Sequence, residues 1–359
     1  MNNKKIMIIG PFPTPIHGMS LSNDLIYNEL IKREINVIKE NTNMEINIKD
    51  KKLQGKFSFD YFLFSIKNSI SIIKSIIIKK PKKIYITPGQ SPLGLSRFLP
   101  IILVSKLLGK DVYLHIHGSK LSINYNKTNL LFKFFMYISL YSSNKIIFLG
   151  EKIAKEHTQL VKKNKIIICN NGIPIPDRNL IKQEKSSEKI NILYLSNLMR
   201  EKGILDLISA IELINNNNNI SFDLAGEIEE SLRNILTTTI PKINCNYHGI
   251  VEGRVKNMLL SKADILILPS YDEGQPLCIL EAYSYGCAVI TTDVGGISDI
   301  FKNNINGIFC QVNNPASIVD AIEKTINNLE KFKLNNRILA EEKYSTEKYV
   351  DNLLKIIEE

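Results

Sequence analysis

Short apolar runs, rich in isoleucine, recur along this chain, and stretches with helical periodicity separate them. Strands that alternate with helices in this way form parallel sheets joined by right-handed crossovers. The first set of runs lies at residues 6–10, 84–87, 112–117, 146–149 and 166–169, and the second at 191–196, 221–225, 244–248, 265–269, 289–292 and 308–310. We therefore expect two doubly wound α/β domains.

A polar, proline-marked stretch, residues 174–189, interrupts the alternation and lacks apolar periodicity, as interdomain linkers do. We predict a first domain over residues 1–180, a linker over 181–189 and a second domain over 190–344. A last helix within residues 345–359 follows the second sheet and could pack back on the first domain. Ligands of such sheets bind outside the carboxyl ends of the strands, so the expected active site is a cleft that both domains face.

The composition is that of a soluble globular protein, with 359 residues, 44% apolar and 23% charged. The five cysteines show no C-x-x-C spacing, so neither a disulfide framework nor a zinc site follows, and reduced thiols in a cytosol are expected. Residues 1–10 lack the features of a signal peptide, and no uninterrupted apolar run approaches the length of about 18 residues typical of a membrane span. We therefore expect a cytoplasmic location.

Positive charge is concentrated in the first half of the chain. Residues 1–180 contain 28 Lys and Arg against 11 Asp and Glu, whereas residues 181–359 contain 18 against 25, within a total of +10. A basic half suggests a polyanionic partner, either nucleic acid or an anionic membrane. The codon usage of an AT-rich genome, which favours Lys, Ile and Asn, is the alternative explanation.

Two strand-to-helix turns have the composition of phosphate sites. In residues 10–20, Gly18 lets backbone amides approach a ligand where a helix begins. This loop departs from G-x-G-x-x-G, which disfavours a dinucleotide-binding dehydrogenase. In the second domain, Arg200 and Lys202 occupy such a turn, where two cations suit a diphosphate. The structural alternatives are a proline-stiffened turn and a solvated helix start.

Two histidines end a predicted strand of the first domain. His115 and His117 are two residues apart and therefore share one face of that strand. Because no carboxylate or cysteine accompanies them, we do not expect a metal site. His117, followed by Gly118, is placed to contact substrate, and a purely structural histidine is the alternative.

The most specific pattern pairs two acidic residues around a helix start. Glu273 follows a buried strand, Pro276 suits the first turn of the next helix, and Glu281 falls in its second turn. The two carboxylates thus bracket a helix N-terminus that can take a phosphate. They can accept hydrogen bonds from sugar hydroxyls and from a ribose diol. A glycine pair, Gly295-Gly296, follows the next strand on the same side.

Together these motifs resemble those of GT-B retaining glycosyltransferases of family four. The resemblance spans nearly the whole chain and rests on the E-x7-E spacing of Glu273 and Glu281. The other matching positions are the glycine loop with Gly18, His117-Gly118, Glu201-Lys202-Gly203, His248-Gly249 and Gly295-Gly296. The resemblance implies a GT-B fold of two Rossmann-like domains, and sugar transfer from a nucleotide-sugar donor.

The resemblance also implies roles for individual residues. The catalytic residues would be His117 near the reacting centre, Glu273 on the hydroxyls of the donor sugar, and Lys202 on the leaving diphosphate. Glu281 would bind the donor ribose. The other donor-binding positions would be Gly18, Arg200, Ile250, Gly274, Gln275, Pro276 and Leu277.

The implied reaction retains the configuration at the anomeric carbon. The acceptor hydroxyl attacks from the side of the leaving diphosphate, whose β-phosphate can take the proton. No cofactor and no essential metal are expected, and a UDP-sugar is favoured over a GDP-sugar. Two positions depart from the family pattern, because Asn197 stands where Arg is frequent and Gln275-Pro276 where Phe-Gly is frequent.

Two stretches of the first domain, residues 56–83 and 127–145, mix aromatic and aliphatic residues with lysines. Such helices suit an anionic bilayer surface, although core packing explains part of their apolar character. The predicted acceptor or membrane face includes Lys67, Lys74, Lys79, Lys80 and Lys133. It fits a glycan or lipid-linked acceptor of a bacterial surface polysaccharide, and a peripheral position on the inner face of the cytoplasmic membrane.

Two other functions are compatible with parts of these patterns. A sugar-nucleotide epimerase would share the GT-B fold but would need neither an acceptor nor a membrane face. A nucleic-acid-binding protein would use the basic first half, yet no helix-turn-helix, zinc finger or RNP motif is present, so no nucleic-acid partner is expected.

Overall fold

The structure is a computed structural model that describes residues 5–43, 59–177, 189–214 and 219–358. The chain forms two compact units. Unit 1 comprises Met1–Asn171 together with Tyr349–Glu359, and unit 2 comprises Gly172–Lys348. The chain therefore passes from unit 1 to unit 2 at residue 171, before the residues expected as a linker. Of that linker, residues 181–188 lie outside the described residues.

Unit 1 contains a six-stranded, fully parallel sheet with the strand order β2-β1-β3-β4-β5-β6. The strands are β1 Ile6–Gly10, β2 Val37–Asn41, β3 Lys83–Ile86, β4 Asp111–Ile116, β5 Lys145–Phe148 and β6 Ile166–Ile168. The central strands are mainly apolar, because helices cover both faces of a parallel sheet. The sequence patterns missed β2, whose residues Val37–Asn41 are mainly polar and only partly buried, since this strand lies at the sheet edge.

The helices of unit 1 are α1 Gly18–Lys32, α2 Phe59–Lys79, α3 Pro92–Ser96, α4 Leu99–Leu107, α5 Leu121–Lys127, α6 Leu130–Ser142 and α7 Glu151–Glu156. Side chains of α2, α4 and α6, such as Ile76, Ile102 and Met136, are buried in one cluster with Met7 and Ile84 of the sheet. These three helices therefore cover one face of the sheet.

A second cluster covers the other face. It joins Ile8 of β1 and Ile26 of α1 to Tyr349 and Leu353, which belong to the last helix of the chain, Thr346–Glu358. The hydroxyl of Tyr113 also donates to the backbone oxygen of Ile357 at 3.1 Å. The C-terminal helix is thus part of the core of unit 1.

Unit 2 contains a second fully parallel sheet with the order β12-β11-β10-β7-β8-β9. Its strands are β7 Ile190–Leu195, β8 Ile220–Ala225, β9 Cys245–Tyr247, β10 Ile265–Leu268, β11 Ala288–Thr291 and β12 Gly307–Phe309. The two sheets confirm the prediction of two doubly wound α/β domains.

The helices of unit 2 are α8 Ile204–Ile214, α9 Arg233–Thr239, α10 Gly253–Lys262, α11 Leu277–Ser284, α12 Ile297–Ile300, α13 Pro315–Ile326 and α14 Leu329–Leu339. A π-helical turn, Ala340–Tyr344, continues α14, and the C-terminal helix of unit 1 is α15, Thr346–Glu358. The chain breaks at Asn327 and Asn328, so α13 and α14 are separate helices.

Within the described residues, none of the helices combines the length and the apolar character needed to cross a bilayer.

Candidate active site

The loop after β10 holds Glu273 at the carboxyl end of the sheet of unit 2. Its side chain is 8% exposed, and Oε1 accepts hydrogen bonds from Lys202 Nζ at 2.7 Å and from Ser270 Oγ at 2.7 Å. A carboxylate tolerates burial when a cation and a hydroxyl pair with it. The loop therefore presents a fixed, nearly buried acid where ligands of parallel sheets bind.

Lys202 reaches Glu273 because the turn after β7 packs against the loop after β10. The amide of Tyr271 donates to the backbone oxygen of Glu201 at 2.9 Å. Gly203 has a φ of +71°, and a Cβ there would lie 1.9 Å from the backbone oxygen of Pro269. Only glycine allows this approach.

A buried tyrosine supports the same turn. The hydroxyl of Tyr194, in β7, donates to the backbone oxygen of Asn197 at 2.9 Å. Arg200 belongs to the single 3₁₀ turn Arg200–Lys202, and its side chain is exposed. The turn thus offers one cation fixed by an acid and one directed to solvent.

Helix α11 begins at Leu277, within five residues of Glu273. Pro276 is its N-cap residue, with φ −69° and ψ 116°, so it precedes the helix rather than lying in its first turn as predicted. A proline side chain cannot accept a hydrogen bond, and within the described part of the chain no side chain caps this helix. The first-turn amides and the positive end of the helix dipole favour an anion at this position.

Glu281 lies one turn further along α11. Its Oε1 accepts a hydrogen bond from Lys256 Nζ of α10 at 2.6 Å, and the two side chains are 18% and 22% exposed. The ion pair and the partial burial fix this carboxylate. Glu273, four residues before α11, and Glu281, the fifth residue of α11, therefore stand on either side of the helix start in the same unit.

The glycine pair after β11 supports the Glu273 loop. The amide of Gly296 donates to the backbone oxygen of Glu273 at 3.1 Å. Gly295 has a φ of +51°, and a Cβ there would lie 1.9 Å from that same oxygen. A larger residue at position 295 would therefore displace the backbone of Glu273.

The loop after β9 places an apolar side chain at the surface of unit 2. Gly249 has a φ of +68° and accepts a hydrogen bond from the amide of Gly226 at 2.8 Å. The next residue, Ile250, is 64% exposed. A large aliphatic side chain held in this way can contact a planar ring.

In unit 1, the glycine loop ends in a capped helix start. His17 is the N-cap of α1: its Nδ1 accepts from the amide of Ser20 at 3.3 Å, and Ser20 Oγ accepts from the amide of His17 at 3.0 Å. This reciprocal capping box satisfies two backbone amides at the helix end, those of His17 and Ser20. Gly18, the first residue of α1, follows it and is exposed.

His117 lies directly after β4 and near this loop. Burial of its imidazole, and to a smaller extent the neighbouring His17, lower the pKa of His117 to about 3. Its Nε2 is buried, and among the described residues it has no hydrogen-bond partner. The His117 ring lies 4.3 Å from the ring of His115, whose Nδ1 shares a 2.6 Å hydrogen bond with the hydroxyl of Tyr85. His117 is therefore a neutral, oriented imidazole.

The five lysines of the expected acceptor or membrane face occupy different surroundings. Lys67 and Lys74 are exposed on α2, whereas Lys79 Nζ lies 3.0 Å from Glu40 Oε1 in an ion pair. Lys80 follows α2 with a φ of +48°. Lys133, on α6, is half-buried and lies over the ring of Tyr125, 5.9 Å from its centroid. Lys79 is thus partly neutralised.

Two partners at the site were not identified from the sequence. Ser270 lies three residues before Glu273, and its position at the end of β10 could have indicated a hydrogen bond. Lys256 lies 25 residues before Glu281, so only the packing of α10 against the sheet brings the pair together. Within the described residues, no cluster of three or more His, Cys, Asp or Glu side chains could hold a metal ion.

The chain is similar in sequence to known glycosyltransferases. Residues 177–345, nearly all of unit 2, match the family described as "Glycosyl transferases group 1". The uncharacterized glycosyltransferase MJ1607 of Methanocaldococcus jannaschii is 28% identical over 206 residues, which is 53% of each chain. An N-acetylgalactosaminyltransferase of Campylobacter jejuni, named for the acceptor N,N'-diacetylbacillosaminyl-diphospho-undecaprenol, is 26% identical over 55% of each chain.

These two alignments span only about half the length of either relative. A likeness over the full length comes from solved structures. Anabaena HepE, solved in complex with UDP, covers 99% of both chains with a TM-score of 0.74 and 13% sequence identity. Together with the two parallel six-stranded sheets, this likeness shows that the chain has the GT-B fold.

Proposed function

We propose that this protein is a retaining glycosyltransferase that moves a sugar from a nucleotide-sugar, with UDP favoured, to a hydroxyl of a glycan or lipid-linked acceptor. The observation that carries the proposal is the Glu273 loop. It sets a nearly buried carboxylate, held by Lys202 and Ser270, beside the uncapped start of α11 within the group 1 domain.

The donor diphosphate would lie at the start of α11. The first-turn amides can donate to its oxygens, and Lys202 can leave Glu273 to neutralise the charge that develops as the sugar departs. Arg200 is exposed in the same turn and supplies a second cation. This arrangement lets the protein stabilise the leaving group with its own charges, so the proposal requires no metal ion and no cofactor.

The two acids would divide the recognition of the donor. Glu281 accepts from the ribose hydroxyls, because its carboxylate is fixed by Lys256 one turn into α11. Glu273 accepts from hydroxyls of the sugar. Ile250 packs against the base, while Gly274, Gln275 and Leu277 supply the backbone around the sugar and phosphates.

Retention follows if the acceptor approaches from the side of the leaving diphosphate. The acceptor hydroxyl then forms the new glycosidic bond as the bond to the β-phosphate oxygen breaks, and its proton passes to that phosphate. In unit 1, the neutral His117 can hydrogen-bond to a hydroxyl without taking up a proton, and Gly18 leaves the backbone at the start of α1 open to a ligand.

The names of similar proteins support the choice of donor and acceptor. HepE was solved with UDP, and the Campylobacter relative is named for a diphospho-undecaprenol acceptor. We therefore infer a UDP-sugar donor and a lipid-linked acceptor in the synthesis of a bacterial surface polysaccharide.

The donor assignment is tested by thermal shift with a panel of UDP- and GDP-sugars. We expect UDP-sugars to raise the melting temperature of the wild type, and Glu281→Ala or Lys202→Ala to abolish most of this shift. Transfer should persist in EDTA. If no nucleotide-sugar stabilises the wild type, or if both variants keep the full shift, the proposed donor site is wrong.

A further inference from the structure

The outer surfaces of α2, α4 and α6 are apolar, although their inner surfaces already fill the core of unit 1. On α2, the outward residues Leu63, Ile66, Ile70 and Ile77 recur at helical spacing and are 40–50% exposed. A helix of a soluble protein usually presents polar residues on the side that faces solvent. Among the residues that the structure describes, the outer stripe of α2 therefore has no partner of matching chemistry.

The two neighbouring helices repeat the pattern. On α4, Leu107 is 86% exposed and Leu103 is 39% exposed. On α6, Leu130 is 83% and Phe134 59% exposed, and Tyr137 and Tyr141 continue the same stripe. Because α4 packs beside both α2 and α6, the three stripes form one apolar surface, which we call the outer helical face.

Lysines outnumber acids around the outer helical face. Residues 59–150, which include α2, α4 and α6, contain 13 Lys and Arg against two acids, Asp60 and Asp111. Lys67 and Lys74 stand within the stripe of α2 and are exposed. Asp111 Oδ2 lies 3.1 Å from Lys83 Nζ, and Glu40 Oε1 lies 3.0 Å from Lys79 Nζ.

A cluster of lysines lies at the end of α6. The ammonium groups of Lys162 and Lys165 lie 5.1 and 5.2 Å from the ring centroid of Tyr141. Burial, with the neighbouring charges of Lys162 and Lys106, lowers the pKa of Lys165. Two cations held beside an exposed aromatic ring, with a third lysine nearby, suit an anionic partner that also accepts apolar groups.

From the exposure and charge of these residues we propose that the outer helical face docks on an anionic lipid bilayer, with Leu107, Leu130 and Phe134 entering the interface and Lys67, Lys74 and Lys133 contacting the headgroups. The inference deepens the proposed function, since it rests in part on a lipid-linked acceptor. A second copy of the chain fits less well, because a symmetric contact would place lysines opposite lysines. Nucleic acid would satisfy the lysines but not the exposed leucines.

The test is co-sedimentation of the full chain with vesicles of phosphatidylcholine, alone or mixed with phosphatidylglycerol. The charge variant is Lys67→Glu/Lys74→Glu/Lys133→Glu, and the apolar variant is Leu107→Ser/Leu130→Ser/Phe134→Ser. The matched control, Lys242→Glu/Lys262→Glu/Lys331→Glu, makes the same change in net charge at exposed positions of unit 2.

We expect the wild type to bind the mixed vesicles and not the neutral ones. The charge variant should lose more than about tenfold in partitioning, while the control keeps most of it. The apolar variant should lose the binding that persists in high salt, because that part depends on inserted side chains.

Four results would overturn the docking face. They are no vesicle binding, equal binding to neutral vesicles, an equal loss in the control, and a dimer in solution that the apolar variant dissociates. Tighter binding of duplex DNA, unaffected by the apolar variant, would assign the face to nucleic acid instead. The UDP-induced thermal shift should be the same in the charge variant and the wild type. If neither the wild type nor any variant shows a UDP-induced thermal shift, the proposed donor is wrong, and the vesicle result is unaffected.

Discussion

At the scale of single residues, Glu273 combines burial with two direct partners. Its Oε1 atom accepts two hydrogen bonds, one from Lys202 and one from Ser270. Removing the charge while keeping the shape of the side chain leaves Lys202 without its counter-ion. A substitution of Glu273 that keeps its shape therefore tests the role of the negative charge without changing the packing of the site.

We predict that Glu273→Gln lowers the rate of sugar transfer by about 10²–10³-fold, since the variant loses a charged contact aimed at the reacting sugar. Binding of UDP should change little, because the proposed contacts to the nucleotide come from Glu281 and α11. The rate is measured with a radiolabelled donor. Glu230→Gln, at an acid whose side chain is 73% exposed, serves as the control, and an equal loss there would contradict the assignment.

Gly295 and Gly253 form a matched pair for testing the support of the Glu273 loop. Both have a φ of +51°, but a Cβ at 295 would lie 1.9 Å from the Glu273 oxygen, whereas nothing lies within 4 Å at 253. We predict that Gly253→Ala costs about 1 kcal/mol of stability and leaves transfer intact. Gly295→Ala should cost more and also lower the transfer rate. Equal effects in denaturant titrations and rate assays would refute the role of Gly295.

The residues of the site could be predicted to different extents. Glu273, Glu281 and Lys202 stand in local motifs, and the structure places Glu273 next to Lys202. The pairing of Glu281 with Lys256 was not predictable, because it depends on how α10 packs. The sequence placed Pro276 in the first turn of α11, whereas it is the N-cap residue. A proline fits both positions.

At the scale of elements, buried parallel strands such as β10 and β11 were predictable from their continuous apolar runs. Strand β2 was not, because an edge strand needs little apolar surface and its residues Lys39, Glu40 and Asn41 read as a loop. Helix α14 is difficult to predict for a related reason. Its charged and amide residues show weak periodicity, and only Phe332 and Asn336 are buried.

The last helix, α15, supplies a test at this scale. Leu353 is 1% exposed in the core of unit 1, whereas Asn352 is exposed on the same helix. We predict that Leu353→Ala destabilises the protein by about 2–5 kcal/mol, and that Asn352→Ala changes it by less than about 0.5 kcal/mol. Hydrogen–deuterium exchange should show faster exchange in β1 and β4 for Leu353→Ala. Protection that stays unchanged in those strands would contradict the packing of α15 in unit 1.

At the scale of the whole molecule, buried histidines make stability depend on pH. Burial lowers the pKa of His157 to about 4 and that of His117 to about 3, and it places the pKa of His115 well below its usual range. The unfolded chain takes up protons near pH 6.5 while the folded chain does not. Their stabilising contribution is therefore complete above pH 6.5 and is lost as the pH falls toward 4.

We predict that lowering the pH from 7.5 to 5.5 costs about 1.4 kcal/mol of stability for each of these histidines. His157→Gln should reduce the stability lost between these pH values by about 1.4 kcal/mol. The variant also removes the hydrogen bond between His157 and Ser122. The measurement is chemical denaturation followed by circular dichroism at both pH values. A pH dependence identical to that of the wild type would show that the pKa of His157 is not lowered in the folded protein.

The central claim is that the diphosphate of a nucleotide-sugar is held at the start of α11, between Glu273 and Glu281. The most direct measurement is a crystal structure of the protein with UDP. We predict phosphate oxygens within hydrogen-bond distance of the amides around Leu277 and of Lys202, and the ribose hydroxyls on Glu281. UDP bound elsewhere on the chain, with Lys256 and Glu281 undisturbed and distant from it, would contradict the claim.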